Sequence, residues 1–206
     1  MRRSPLLDCF AEGEFVLGEV AGMMLALQRR DDRKAATWMA DQSHGAHCLW
    51  VGEGAARQLA AEGLESLRLF QRVAHPLGGW VVRLGAMRYL RAFTAPTVSP
   101  GALPADLLNL PLDSVDIALG GPEATKVLSE FCATQIERVT PDGWCPVTLA
   151  GHEVALWREG EIFHVVCAPA DGLSVFRSLA AGLRDVDGVV IGLHDIPDRL
   201  QPGVQA

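Results

Sequence analysis

The chain has 206 residues, of which 49% are apolar and 21% are charged, and its formal net charge is −7. This length suffices for one large domain or two small ones with a buried core, and the composition excludes a disordered chain. The acidic balance opposes binding to the phosphate backbone of nucleic acids. No apolar run approaches the ~20 residues that a membrane-spanning helix requires. We therefore expect neither a nucleic acid nor a membrane as a partner.

The cysteines indicate a reducing compartment. The five cysteines of the chain are Cys9, Cys48, Cys132, Cys145 and Cys167. An odd number without CxxC spacing is typical of buried, reduced thiols. Near the amino terminus, Asp8, Glu12 and Glu14 interrupt the chain before any sustained apolar run begins. No signal peptide is therefore predicted, and we expect a cytoplasmic protein.

The first part of the chain predicts mainly strands. Residues 15–28 are apolar with glycine interruptions and favour one or two strands. Residues 53–63 are rich in alanine and finish on a glycine, which predicts a helix together with its stop. Short strands are predicted at residues 67–73, 80–84 and 87–93, because apolar runs there are separated by turn residues.

Prolines mark the middle of the chain as a boundary. Pro96, Pro100 and Pro104 follow one another at close spacing, with Gly101 among them. Such a stretch is typical of a linker. We therefore predict four parts, which are an N-terminal α+β half over residues 1–95, a linker over 96–114, a C-terminal half over 115–196 and a loose tail over 197–206.

The C-terminal half begins with a predicted strand, helix and hairpin. Residues 115–119 predict the strand, and Pro122 suits the first position of the helix because its missing N–H would have no partner there. The buried face of this helix is predicted to consist of Ala124, Val127, Leu128 and Phe131. Residues 154–157 and 162–167 predict a hairpin that turns at Gly160.

A second helix and a last strand complete the prediction. The helix is expected to end at Gly182, and its inward face to consist of Leu173, Phe176, Ala180 and Leu183. The last strand is expected at residues 189–193. Clusters of strands with intervening helices indicate an α+β fold, with compact mixed or antiparallel sheets and packed helices.

One group of side chains has the chemistry of metal ligands, and it consists of Asp41, His44, His47 and Cys48. A His-x-x-His pair suits a metal ion on one helical turn or in a constrained loop. Gly45 argues against a helix here, and the apolar residues that follow indicate a strand. No second pair of cysteines or histidines completes a site. We therefore predict no metal, and take the segment as a surface loop that leads into the core.

Catalytic and cofactor motifs are also incomplete. Cys145 could be a reactive thiol activated by His152 or His164, but a lone thiol at the start of a strand is far more often a packing residue. Ser174 lacks the second glycine of the GxSxG motif. The glycines before Pro122 fit neither a dinucleotide-binding nor a P-loop pattern. We therefore predict no catalytic and no cofactor-binding residue.

Two segments carry a resemblance to a known family. Residues 120–132 (GGPEATKVLSEFC) and 140–169 (TPDGWCPVTLAGHEVALWREGEIFHVVCAP), with the helix over 173–183, resemble the second half of the gamma subunit of heterotetrameric sarcosine oxidase. The first half is fainter. The opening around Ser4 and the strand pair on either side of Ala86 and Met87 are similar to that family, although those two residues replace its proline and aspartate.

The resemblance implies a reduced form of the folate-binding fold of glycine-cleavage T-protein. In that family the large alpha and beta subunits hold FAD, FMN, NAD and tetrahydrofolate and demethylate sarcosine, while the gamma subunit binds no flavin and serves assembly. The resemblance therefore implies alpha, beta and delta subunits as partners and no cofactor in this chain. A sister complex that acts on another N-methyl amino acid is compatible with it.

Two functions remain as hypotheses, and two residues are candidates for the partner interface. The first function is a non-catalytic assembly subunit of a sarcosine-oxidase-type complex. The alternative is a stand-alone tetrahydrofolate-binding or aminomethyltransferase-like protein. Interfaces concentrate their energy in aromatic and arginine anchors. We therefore expect Trp144, in a turn, and Arg158, at the hairpin tip, to contact a partner, unless Trp144 covers the core and Arg158 is solvated.

Overall fold

A computed structural model describes residues 2–11, 13–31, 33–76, 78–93 and 103–197. The helices and strands are β1 (Arg2–Arg3), β2 (Phe15–Val20), β3 (Met23–Arg29), β4 (Trp38–Asp41), β5 (Ala46–Val51), α1 (Glu53–Ala61), β6 (Arg72–Ala74), β7 (Trp80–Gly85), β8 (Arg88–Phe93), β9 (Leu108–Leu112), β10 (Val115–Gly120), α2 (Ala124–Phe131), β11 (Cys145–Leu149), β12 (His152–Glu159), β13 (Ile162–Cys167), α3 (Pro169–Asp185) and β14 (Val189–Val190). Short 3-10 helices lie at Leu7–Cys9, Ile136–Arg138 and Leu193–Asp195. None of the helices in this described part is long and apolar enough to cross a membrane.

The chain divides into two units. The first unit comprises Met1–His44, Ser114–Pro141 and Cys145–Ala206, and the second comprises Gly45–Asp113 and Asp142–Trp144. This division differs from the predicted halves, because the first segment of the chain belongs with the C-terminal part. Strand β4 explains the difference, since it pairs with β10 and with β14 instead of with its neighbours in sequence.

The first unit is built on a six-stranded sheet with the order β11-β12-β13-β10-β4-β14. Its pairs are antiparallel except for β4 and β14, which are parallel. Every residue of β10 and of β13 is buried. Strands buried on both faces have nearly continuous apolar sequences, and in these two the polar exceptions include Asp116 and His164. The hairpin of β12 and β13 confirms the one predicted at Gly160.

Helices α2 and α3 bury apolar side chains in the core of the first unit. In α2, Ala124, Val127 and Leu128 are buried as predicted, whereas Phe131 is half-buried. The helix begins after Glu123, so Pro122 lies in the preceding turn and not at the first helical position. Gly182 does not end α3, which continues to Asp185. A Cβ atom on Gly182 would lie 2.8 Å from Cε2 of Phe131, so this glycine allows the two helices to approach closely.

The first unit also contains a three-stranded sheet with the order β1-β3-β2. The antiparallel pair of β2 and β3 confirms the strands predicted over residues 15–28. Near the end of the described chain, the observed strand is shorter than the one predicted over 189–193. Only Val189–Val190 pairs with β4, because the chain then turns into the 3-10 helix at Leu193–Asp195.

The second unit is an antiparallel five-stranded sheet, ordered β6-β7-β8-β5-β9, with α1 beside it. Its core contains Trp50, Ala55, Leu59, Val81 and Tyr89. In place of the strand predicted over 67–73, the structure has a shorter strand that begins later, at Arg72–Ala74. Strand β9 falls within the segment that was expected to be a linker. The rest of that segment up to residue 102, and the tail beyond residue 197, lie outside the described residues.

Candidate functional site

An aspartate, a histidine and a serine come together in the first unit, and we call them the 152–171–174 triad. Nδ1 of His152 lies 2.9 Å from Oδ1 of Asp171, and Nε2 of His152 lies 2.9 Å from Oγ of Ser174. A carboxylate can only accept hydrogen bonds, so Nδ1–H of His152 donates to Asp171. In the neutral imidazole Nε2 is then the acceptor, and the Ser174 hydroxyl donates to it.

The sheet register explains why these three residues meet. Val154 of β12 is paired with Cys167 of β13, so the start of β12 lies beside the end of β13. Helix α3 begins almost immediately after β13, and Asp171 is in its first turn. Ser174 follows at i+3, on the same face of the helix as Asp171. His152 therefore faces both residues although it precedes them by 19 and 22 positions.

The triad is open to solvent. The side chains of His152 and Asp171 are 28% and 35% exposed, and Ser174 is exposed. This arrangement was not predicted from the sequence. The one local signal was an aspartate and a serine three residues apart on a predicted helix, and the histidine could be added only with knowledge of the strand pairing.

A second polar cluster is buried in the same unit. Asp41 accepts hydrogen bonds from the Ser4 hydroxyl and from the backbone N–H of Ser43, the latter at 2.9 Å. The Ser43 hydroxyl in turn accepts from the backbone N–H of Asp116 at 3.1 Å. Burial raises the pKa of Asp41, an effect that the hydrogen bonds from the two serines oppose. The nearby carboxylate of Asp116 raises it further. Asp41 therefore holds a proton more readily than an exposed aspartate does.

His164 extends this buried cluster. Its Nδ1 atom lies 3.1 Å from Oδ1 of Asp116, and its ring is stacked on the Trp157 indole with centroids 3.7 Å apart. Within the described part of the chain, Nε2 of His164 is buried without a hydrogen-bond partner. His164 is therefore held in one orientation by a carboxylate at one edge and an aromatic ring against its face.

The residues of the possible metal cluster have separate roles. Asp41 and His44 belong to the first unit, and His47 and Cys48 to the second. The ring of His47 packs on Trp80 with centroids 5.5 Å apart, and burial raises the pKa of Cys48 to about 11. Burial lowers the pKa of His44. The described residues contain no group of three or more histidine, cysteine or acidic side chains that could hold a metal ion.

The histidines considered as activators of Cys145 are engaged elsewhere. His152 contacts Asp171 and Ser174, and His164 contacts Asp116. Cys145 itself is half-buried, and burial raises the pKa of its thiol. A raised pKa disfavours the thiolate, which is the nucleophilic form. The geometry therefore gives Cys145 a packing role.

The two predicted interface residues lie in different environments. Trp144 is buried against Trp80, with ring centroids 5.3 Å apart, so it covers the core, which is the alternative that the sequence left open, and does not project towards a partner. Its backbone N–H donates to the carbonyl of Phe70, which holds the turn against the sheet of the second unit. Arg158 donates to the Gly160 carbonyl at 2.6 Å and lies over the ring of Phe163. Its side chain is 27% exposed and remains within reach of a partner.

Comparisons with known proteins identify the fold. No protein-family model and no curated protein matches the chain. The structure is similar to the glycine cleavage system aminomethyltransferase T from Bartonella henselae, with a TM-score of 0.75 and 17% identity. That match covers 94% of this chain and 61% of the other, so this chain spans about three fifths of the aminomethyltransferase.

A second solved structure is similar over nearly its whole length. It is the heterotetrameric sarcosine oxidase from Corynebacterium sp. U-96, in complex with pyrrole 2-carboxylate. The TM-score is 0.63 and the identity 19%, over 89% of this chain and 95% of the matched chain. Identities this low show a shared fold and leave the function to other arguments. The predicted α+β fold of the T-protein type is confirmed.

Proposed function

We propose that this chain is a non-catalytic assembly subunit of a heterotetrameric sarcosine-oxidase-type complex that oxidatively demethylates sarcosine or a related N-methyl amino acid. The observation that carries the proposal is the mutual coverage of the two folds. The match spans 89% of this chain and 95% of the sarcosine oxidase chain, whereas it spans 61% of the aminomethyltransferase. The fold of this chain thus corresponds to nearly the whole matched oxidase chain and to only part of the aminomethyltransferase.

In this proposal the chemistry belongs to other subunits. The partners of this chain are the alpha, beta and delta subunits, in the cytoplasm. This chain corresponds to the gamma subunit and holds none of the FAD, FMN, NAD and tetrahydrofolate of the complex. Trp144 is no longer a candidate anchor because it is buried against Trp80. Arg158 stays a candidate, because arginine is enriched among interface anchors and this guanidinium is positioned by Gly160 and Glu161.

Exposed leucines supply a further surface that a partner subunit would cover. Leu108, Leu110 and Leu112 of β9 are 54%, 39% and 38% exposed. They alternate along the strand and therefore share one face. Strand β9 lies at the edge of its sheet, and Pro111 removes one of its N–H donors. We therefore assign the contact to the leucine side chains and not to added strand pairing.

Co-purification tests this proposal. The tagged chain is co-expressed with the alpha, beta and delta subunits, and flavin absorbance and sarcosine-dependent oxygen uptake are measured in the material that it retains. We expect a flavin-bearing complex, and we expect Leu110→Asp to reduce its yield. The matched control is Leu17→Asp, which changes a leucine that is 50% exposed on another sheet. Equal yields for both variants would contradict the assignment of the interface to β9.

The alternative is a stand-alone tetrahydrofolate-binding or aminomethyltransferase-like protein. The TM-score of 0.75 with the aminomethyltransferase over 94% of this chain favours it. Tetrahydrofolate is titrated into the isolated chain while the tryptophan fluorescence is recorded. Micromolar binding would support the alternative, whereas no change up to millimolar concentration would support the assembly subunit.

A further inference from the structure

We propose that Ser174 is a nucleophile activated by His152 and Asp171, and that it gives the chain an activity towards acyl esters with good leaving groups. This activity is separate from the assembly function, because its three residues are neither Arg158 nor the exposed leucines of β9 that we assign to the interface. A serine hydroxyl becomes nucleophilic when an adjacent base accepts its proton while a third group orients that base. The 152–171–174 triad has all three components.

The hydrogen-bond order is the one that the chemistry needs. Asp171 accepts from Nδ1–H of His152 at 2.9 Å, which leaves Nε2 as a base. Nε2 lies 2.9 Å from the Ser174 oxygen, within the 2.6–3.2 Å range over which a proton is transferred. Ser174 and His152 are thus the catalytic residues, and Asp171 is a positioning residue that acts through the imidazole.

The secondary structure holds these groups rigidly. Asp171 and Ser174 lie on α3, where Val175, Phe176 and Leu179 anchor the helix in the core. His152 begins β12, which is paired with both β11 and β13. Sites on helices and strands keep their geometry better than sites on loops. The triad is also accessible, since Ser174 is exposed and His152 is partly exposed.

The position of Ser174 inside a helix selects the substrate class. The backbone N–H of a residue inside a helix is bonded to the carbonyl four residues earlier. The amide of Ser174 is therefore not free to stabilise an oxyanion, as the amides around a hydrolase nucleophile do. Without that stabilisation, the leaving group must carry the negative charge well. Aryl esters and thioesters satisfy this condition, and peptide bonds do not.

The reaction is balanced without a cofactor. The Ser174 oxygen forms a bond to the acyl carbon, its proton passes to Nε2 of His152, and the bond to the leaving group breaks. The leaving group takes that proton from Nε2, or it departs as the anion and Nε2 then releases the proton to solvent. A water molecule then attacks the acyl-serine, with Nε2 as base, to release the carboxylic acid and restore the serine.

A fluorophosphonate probe tests the proposal on the intact chain. Attack by Ser174 forms an oxygen–phosphorus bond and expels fluoride, and the modified peptide is identified by mass spectrometry. We expect labelling at Ser174 and none at Ser178, which lies one turn further along the same helix. We also expect His152→Gln to slow labelling by roughly 10²-fold or more, as loss of a general base does.

A second reaction and three further variants, with one control variant, distinguish catalysis by these residues from a purely structural hydrogen bond. Ser174→Ala should abolish the release of 4-nitrophenolate from 4-nitrophenyl acetate by the chain. The control Ser178→Ala should release it at the rate of the unsubstituted chain. Asp171→Asn should slow it at least tenfold, and Asp171→Glu should restore part of the rate. Thermal unfolding of every variant is measured alongside. The proposal would be overturned if Ser174 were labelled no faster than Ser178. It would also be overturned if Ser174 were labelled at the same rate in the His152→Gln variant as in the unsubstituted chain.

Discussion

The indole of Trp144 packs against the indole of Trp80, with ring centroids 5.3 Å apart. Two backbone hydrogen bonds hold this short segment in place, from Arg72 N–H to the Asp142 carbonyl at 2.6 Å and from Trp144 N–H to the Phe70 carbonyl at 2.9 Å. Residues 142–144 therefore belong to the second unit although the chain on either side of them belongs to the first.

We predict that Trp144→Ala destabilises the chain by about 3–5 kcal/mol, because truncation of a buried aromatic removes its contacts and leaves a cavity. Urea unfolding followed by far-ultraviolet circular dichroism measures this loss. Arg3→Ala is the control, and it should cost well under about 1 kcal/mol because its ion pair with Asp8 is at the surface. An unchanged unfolding midpoint for Trp144→Ala would place this side chain outside the core.

Gly121 is required by its backbone conformation. Its φ angle is +102°, and a methyl group there would overlap the carbonyl oxygen of Ala36. We predict that Gly121→Ala costs about 2–5 kcal/mol, the sum of a left-handed backbone penalty and a steric overlap. Gly160 has a φ angle of +56° with no atom within 4 Å of an added Cβ, so Gly160→Ala should lose only the backbone part. Equal losses in the two variants would contradict this comparison.

Local patterns predicted the elements of the chain better than their boundaries or their partners. The hairpin of β12 and β13 followed from two apolar runs with Gly160 between them. Strand β9 was missed because prolines dominate its surroundings, and Pro111 within it is tolerated only because β9 lies at the edge of a sheet. Which strand lies at an edge depends on pairing with β5, which no local window contains.

The site was harder to predict for the same reason. Trp144 was placed at a surface because it stands in a turn, and its burial depends on Trp80, which is 64 residues earlier in the printed sequence. The 152–171–174 triad depends on the register of β12 with β13 and on the start of α3. The T-protein-like fold was predicted, by contrast, because the resemblance rested on two long contiguous segments.

The buried carboxyl of Asp41 predicts a specific pH dependence. Burial raises its pKa above the ordinary 3.8, so the folded chain keeps this proton to a higher pH than the unfolded chain. The stability that the protonated Asp41 carboxyl contributes to the folded chain is therefore present at low pH. It is lost as the pH rises from 3.8 through the raised pKa. An asparagine at this position has no such proton to lose.

We therefore predict that Asp41→Asn gains stability relative to the unsubstituted chain as the pH rises through that window. Urea unfolding of both proteins between about pH 4 and pH 8 measures the difference. The exposed Asp185 provides the control variant Asp185→Asn, for which the difference should vary much less. A relative loss of stability by Asp41→Asn with rising pH would have the opposite sign and would contradict the burial of this carboxyl.

The thiols should be slow to react in the folded chain. Burial raises the pKa of Cys48 to about 11 and that of Cys167 to about 12, and it also raises the pKa of the half-buried Cys9 and Cys145. At pH 8 the thiolate of Cys48 or Cys167 is therefore scarce. We predict that these two react with a disulfide reagent roughly 10²-fold more slowly in the folded chain than in urea. Rapid modification of either in the folded chain would contradict these environments.

The measurement that tests the assembly proposal most directly is native mass spectrometry of the tagged chain co-expressed with alpha, beta and delta subunits. We predict one copy of this chain in a heterotetramer that carries flavin and consumes oxygen with sarcosine or a related N-methyl amino acid. The Ser174→Ala variant should assemble and turn over at the same rate, because the triad is independent of the demethylation. A chain recovered alone, with flavin and oxidase activity remaining in the other subunits, would contradict the proposal.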